Sequence, residues 1–199
     1  MDALLTADEF LAVAETDEAR LELVRGEVRS MTPAGGDHGA VGTNLVERVA
    51  PYVRAARLGR CFGDGTGFLL PLPPELQRRS RDGRARETVR SPDVAFVRAD
   101  RVPPRGFGRG WVRLAPDFAV EVLSPGETTS DTEEKLADYH AAGMRLLWVV
   151  DPYRRLATVY AADAPVRWFR SGDVLDGGDV IPGFTIPVDH LFQDVAAED

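Results

Sequence analysis

A single lysine, Lys135, stands in this chain against twenty-three arginines. An arginine guanidinium keeps its charge at every accessible pH, whereas a lysine ammonium is a compact point charge that gives up a proton when its surroundings demand it. The exception is a candidate for chemistry, with a lysine on a solvated helix face as the plain alternative. Fourteen residues before it lies Glu121, inside the apolar run FAVEVL, and twenty-eight before that lies Asp93, in SPDVAFV. A carboxylate set between Val120 and Val122 is costly to bury unless it is paired, hydrogen-bonded or bound to a metal. Neighbouring strands lie under about 5 Å apart and facing Cβ atoms about 4.5–5.5 Å, so Asp93 and Glu121 are within reach of one cation. Asp117, which also follows a proline, competes for the role. It faces the same side of the strand as Glu121, but four residues of extended chain span about 13 Å, too far for two ligands of one ion. Glu121 is therefore paired with Asp93, and the two carboxylates with Lys135 suggest a metal site.

The elements that must position these groups follow from periodicity and punctuation. Residues 6–15 read as a short helix capped by Thr6, with Glu9 completing a capping box. The alternation over 21–31 turns at Arg25 and Gly26, which predicts a hairpin with Glu22 on its first strand. Val41, Leu45, Val49 and Val53 fall at helical spacing, so 38–58 is predicted to be the longest helix, with Asp37 as its N-cap. Residues 60–72 and 92–98 read as strands separated by an arginine-rich loop. The nearly unbroken apolar run 117–123 reads as an interior strand. A helix over 131–142 follows, stopped at Gly143. Strands at 146–150 and 155–160 come next, then short strands with turns at Ser171-Gly172 and Gly177-Gly178, leading to 181–186.

Length and composition bound the rest. With 199 residues and 44% hydrophobic content, the chain suits one globular domain, 1–199. The lone Cys61 has no internal disulfide partner and the start lacks the marks of a signal peptide, which together fit a reducing cytoplasm. No apolar run approaches the roughly 20 residues of a membrane helix. A net charge of −8 argues against a protein that coats nucleic acid nonspecifically, though not against a nuclease. Arginine-rich stretches at 75–90 and 98–113 read as phosphate-contacting rims or as solvated loops.

The phrases LELVRGEV at 21–28, SPDVAFV at 91–97, FAVEVLSP at 118–125, EKLADY at 134–139, LWVVDP at 147–152 and IPGFTI at 181–186 occur in this order. The chain resembles, over nearly its whole length, the bacterial Uma-two family of endonucleases, once a domain of unknown function. Asp93 entering a strand and Glu121 in the following one also look like the PD-(D/E)XK superfamily of restriction-endonuclease-like nucleases. The resemblance implies an α/β (α+β mixed) fold: a restriction-endonuclease-like core with a central mixed β-sheet flanked by helices, plus an N-terminal helix and hairpin. One departure matters, because the superfamily's lysine lies two residues after the glutamate, and that position here is Leu123. The resemblance implies that the role has moved to the following helix, at Lys135. On that reading Asp93 and Glu121 hold Mg²⁺, with Mn²⁺ a substitute and the Val122 carbonyl a further oxygen ligand, and Lys135 orients a water or steadies developing charge. Glu22, by resemblance, serves a second ion or a metal-bound water; the alternative is a surface hairpin carboxylate.

His38 follows a glycine-rich loop at a helix N-terminus, where amides and dipole favour a phosphate; a simple helix start is the other reading. Asp131 either positions Lys135 at i,i+4 or begins the helix. His140 and His190 show no ligand spacing with each other or with Cys61, which disfavours zinc. Neither Ser124 nor Cys61 has a base or oxyanion motif nearby in sequence. The expected function is a metal-dependent DNA endonuclease, a homodimer if duplex DNA is cut on both strands. The alternative is a catalytically silent nucleic-acid-binding or dimeric interaction protein that retains the fold.

Overall fold

In the computed structural model, which describes residues 4–17, 19–31, 34–79 and 85–195, three α-helices pack on mixed sheets. In chain order the elements are α1 Ala7–Ala14, β1 Leu21–Val24, β2 Glu27–Ser30, α2 Gly36–Ala55, β3 Gly59–Gly63 and β4 Phe68–Leu69. Then come the short pair β5 Arg78–Arg79 and β6 Ala85–Arg86, followed by β7 Val89–Arg90, β8 Val94–Arg98 and β9 Phe118–Val122. The chain continues with α3 Thr129–Ala141, β10 Leu146–Asp151, β11 Leu156–Ala161, β12 Arg167–Phe169, β13 Val174–Asp176 and β14 Thr185–Pro187.

The central sheet has the order β12-β11-β10-β9-β8-β3. Within it β9 and β10 run parallel, Glu121 beside Val149, and the other neighbours are antiparallel. Parallel neighbours need a crossover, and α3 provides it. Strand alternation sorts the side chains onto two faces. Val94, Phe96, Phe118, Val120, Val122, Trp148 and Val150 share one core with Val41, Leu45, Val49 and Val53 of α2, and the β13–β14 hairpin adds Leu175 and Ile186 to it. Ala95, Val97, Ala119, Leu147 and Val149 pack on the other face with Tyr139 of α3. A second, antiparallel sheet of order β2-β1-β7-β4 carries α1, whose Phe10 packs with Leu23 and Val89 and stacks on Trp111.

Most predicted elements form where periodicity placed them. The Thr6–Glu9 capping box is present. Arg25 and Gly26 both take left-handed backbone, φ 49° and 82°, as a tight two-residue hairpin turn requires. Two expectations are corrected. The N-cap of α2 is Gly35 and no side chain caps it, so Asp37 lies inside the first turn. The predicted strand 60–72 is two strands, β3 and β4, because Asp64-Gly65 turns the chain between them, with Gly65 at φ 84°. No helix among the described residues is long and apolar enough to cross a membrane.

Candidate active site

A cleft of about 220 Å³ opens where the two sheets and the start of α3 meet, and Glu22, His38, Asp93, Glu121, Val122 and Lys135 all line it. Each arrives by a local device. Asp93 immediately precedes β8, donates its N–H to the Val120 carbonyl at 3.1 Å, and accepts the Val122 N–H on Oδ2 at 2.7 Å. Its backbone and its carboxylate thus bracket Glu121 on the adjacent strand. Glu121 stands on the α3 face of β9 and is buried, and its two oxygens are held by one helix. Lys135 Nζ lies 3.2 Å from Oε2, and the Tyr139 hydroxyl donates to Oε1 at 2.6 Å. Lys135 and Tyr139 are one turn apart on α3, so they present to the same carboxylate. The lone lysine is therefore not on a solvated face. It is 7% exposed, and Glu127 completes its environment at 2.8 Å.

Burial pushes Glu121 up to about 7, against the pull of Lys135 and with the added repulsion of Asp93 and Glu22. Burial also opposes the Lys135 ammonium, but Glu121, Glu22 and Glu127 outweigh it and raise its pKa. Asp93 moves the other way: despite burial, its contacts with His38, the Val122 N–H and Arg20 hold it below the usual carboxylate range. His38 Nε2 lies 3.3 Å from Asp93 Oδ2, a contact that raises the histidine pKa. His38 is thus an acidic residue's partner rather than part of a side-chain-capped helix start.

Glu22 is 2% exposed, which removes the surface-carboxylate reading. Its oxygens accept from Arg90 Nη1 at 2.8 Å and the Ser91 N–H at 2.9 Å. Asp131 is the third residue of α3: it accepts the Thr128 N–H in a capping box, and it does not ion-pair with Lys135. Asp117 is turned to other work, accepting from the Arg98 N–H and Arg101 Nη1 at the opposite end of β9.

Among the described residues, the arginine-rich stretches contribute Arg90 alone to the lining of this cleft. Arg98, Arg101 and Arg113 pair with Asp100, Asp117 and Asp8. In the 75–90 stretch, Arg81 and Arg84 lie outside the described residues, and Arg90 is buried in the cleft wall. The guanidiniums that do line the cleft are Arg20, Arg29 and Arg90. Sequence reading missed Arg20, Arg90, Glu127 and Tyr139. Only Tyr139 carried a signal, its position one turn after Lys135.

The donor set is hard oxygen, which suits Mg²⁺ or Mn²⁺ better than zinc. Among the described residues no group of three or more His, Cys, Asp or Glu side chains forms a ready shell. Mg²⁺ is commonly held by one or two carboxylates with waters and substrate phosphates completing the shell. Two carboxylates from adjacent strands, one of them destabilised as an anion chiefly by burial, fit that pattern. Burial lifts the Cys61 thiol to about 12, so it is an inert side chain.

The mixed α/β fold has a solved counterpart. The chain superposes with TM-score 0.78 on a crystal structure described as a "putative nuclease belonging to DUF820 from Anabaena variabilis ATCC 29413", at 20% identity, covering 95% of this chain and 98% of that one. At that identity the likeness speaks for the fold. A search of curated proteins found no match. The model of the Uma2 family, described as "Putative restriction endonuclease", matches residues 7–189, and the chain belongs to this family.

Proposed function

We propose that the protein is a divalent-metal-dependent endonuclease that hydrolyses DNA phosphodiester bonds, with the PD-(D/E)XK lysine moved from the strand to α3. One observation carries the reading: the ammonium of the chain's one lysine lies 3.2 Å from Glu121, whose neighbours Val120 and Val122 are hydrogen-bonded to Asp93. Asp93 and Glu121, with the Val122 carbonyl, would hold Mg²⁺ or Mn²⁺. Bound there, the ion supplies charge for a phosphoryl oxygen and acidifies a water. Lys135 holds a proton-rich cation beside the same carboxylate, placed to orient that water or to steady charge on the phosphate. Tyr139 fixes the rotation of Glu121, and Glu127 keeps the ammonium at the cleft wall. Glu22 and His38 brace Arg90 and Asp93 respectively. Cutting both strands of a duplex would require two copies of the site, hence a homodimer.

A second reading, a silent nucleic-acid-binding protein that keeps the fold, draws on the engagement of both Glu121 oxygens by Lys135 and Tyr139. Cleavage of supercoiled plasmid and single-stranded DNA with Mg²⁺, Mn²⁺ or EDTA separates the two. We expect metal-dependent nicking that falls by on the order of 10²-fold or more in Asp93→Ala and Lys135→Met. Cleavage that survives both substitutions, or none in any condition, sinks the assignment.

A further inference from the structure

We infer that Arg90 and Asp138 are positioning residues for Lys135: their buried bridge holds α3 against the first hairpin at the rotation that aims the lysine at Glu121. The role given to Lys135 rests on the nuclease reading, while the bridge rests on geometry. Arg90 Nε and Nη2 donate to Asp138 Oδ2 at 3.0 and 2.6 Å, and Nη1 donates to Glu22 Oε2 at 2.8 Å. Arg90 is 2% exposed and Asp138 0%. Arg25, fixed in the hairpin turn, reaches the other oxygen of Asp138 at 2.7 Å, and Glu134 gathers Arg25 and Arg29. The Ser91 N–H occupies the second oxygen of Glu22. One guanidinium therefore ties together the strand of Glu22, the segment that leads into Asp93, and the helix of Lys135.

Energetics say why such a bridge is kept. A buried ion pair contributes little stability relative to apolar groups of the same shape, so its retention is better explained by what it orients. The buried residues of α3 are Lys135, Asp138 and Tyr139, all polar or ionisable. Tyr139 also joins the apolar core on that face with Leu136 and Ala141 packed against it, so the polar contacts add to apolar packing in fixing the helix's rotation. Asp138 and Tyr139 lie three and four residues after Lys135 and share its face. A slip of one residue turns the helix by about 100° and carries the ammonium away from Glu121.

Lys135 is the only side-chain amine in the chain. Its reaction with acetic anhydride, read by mass spectrometry against the terminal amine, reports its placement without reference to DNA cleavage. Asp138→Asn keeps the shape and removes the charge, Arg90→Gln removes the fork, and Val49→Ala serves as a control destabilised in the other core. We expect Asp138→Asn and Arg90→Gln to raise the Lys135 labelling rate by on the order of tenfold, while Val49→Ala does so far less at comparable thermal stability. In an active enzyme the two bridge variants should lower kcat and leave KM nearly unchanged. Wild-type labelling in Asp138→Asn, or equal labelling in Val49→Ala, overturns the inference. Should the bridge variants fail to fold, amide exchange of the wild type decides: equal protection for 135–139 and 22–24 supports it, and α3 opening well before β1 overturns it. A wild type that cuts no DNA defeats the nuclease reading and leaves the labelling result intact.

Discussion

The two faces of the central sheet are joined to their helices by opposite means. On one face α2 buries Val41, Leu45, Val49 and Val53 against Phe96, Phe118, Val120 and Trp148. On the other α3 buries Lys135, Asp138 and Tyr139, and it meets Glu121, Arg90 and Arg25 of the first hairpin through ion pairs and hydrogen bonds. An apolar interface tolerates small shifts at modest cost, whereas a desolvated network is satisfied only in one arrangement. One face holds the protein together and the other fixes where a few atoms stand.

Substitutions can break that contrast. On the α2 face, Leu45→Ala should cost about 2–5 kcal/mol in denaturant unfolding and leave Mn²⁺ affinity by calorimetry unchanged, since the deleted atoms belong to the apolar core on the sheet face opposite Glu121. A large loss of affinity would show that the faces are coupled. A smaller effect sharpens the comparison from the α3 side. The folded pKa of Glu121, about 7, exceeds its ordinary 4.5, so its contribution to stability is fully present below 4.5 and is lost as pH rises through 7. The thermal midpoint of metal-free protein should therefore fall between pH 4.5 and 7, the fall should be absent in Glu121→Gln, and Mn²⁺ should reverse most of it at pH 7 and above. A midpoint that rises across this window in wild type and variant alike would remove Glu121 as its cause. Least of all should follow from Arg113→Ala, whose exposed pair with Asp8 predicts a change below about 0.5 kcal/mol.

The same contrast decides what could be read from the sequence. The α2 stripe is a period of 3.6 written in valine and leucine, and all four predicted positions are buried. Asp93 and Glu121 were legible as carboxylates in apolar strands that demand partners, but the partners the structure gives Glu121 are Lys135 and Tyr139, and those of Asp93 are the Val122 N–H and His38. The α3 network was not legible: Arg90 meets Glu22 across 68 residues and Asp138 across 48, and no local spacing records such a match. The N-cap of α2 was misplaced because Asp37 has the right chemistry two residues too late, while Gly35 takes the extended backbone with no side chain at all. The start of α3 was set at Asp131, which closes a capping box opened by Thr128 and is the third residue of the helix.

The parallel pairing of β9 with β10 also bears on how the site is assembled in time. Because α3 is the crossover between those strands, Glu121 and Lys135 meet by closing a loop of only 14 residues, whereas Glu22 and Arg90 must close one of 68. The entropy of the longer closure is greater by roughly 1.4 kcal/mol. On loop entropy alone, the contact of the carboxylate with its lysine is the cheaper to close and the contact of Glu22 with Arg90 the costlier. The short-range contact can thus form in a chain whose cleft wall, built by the Glu22–Arg90 contact, is still open.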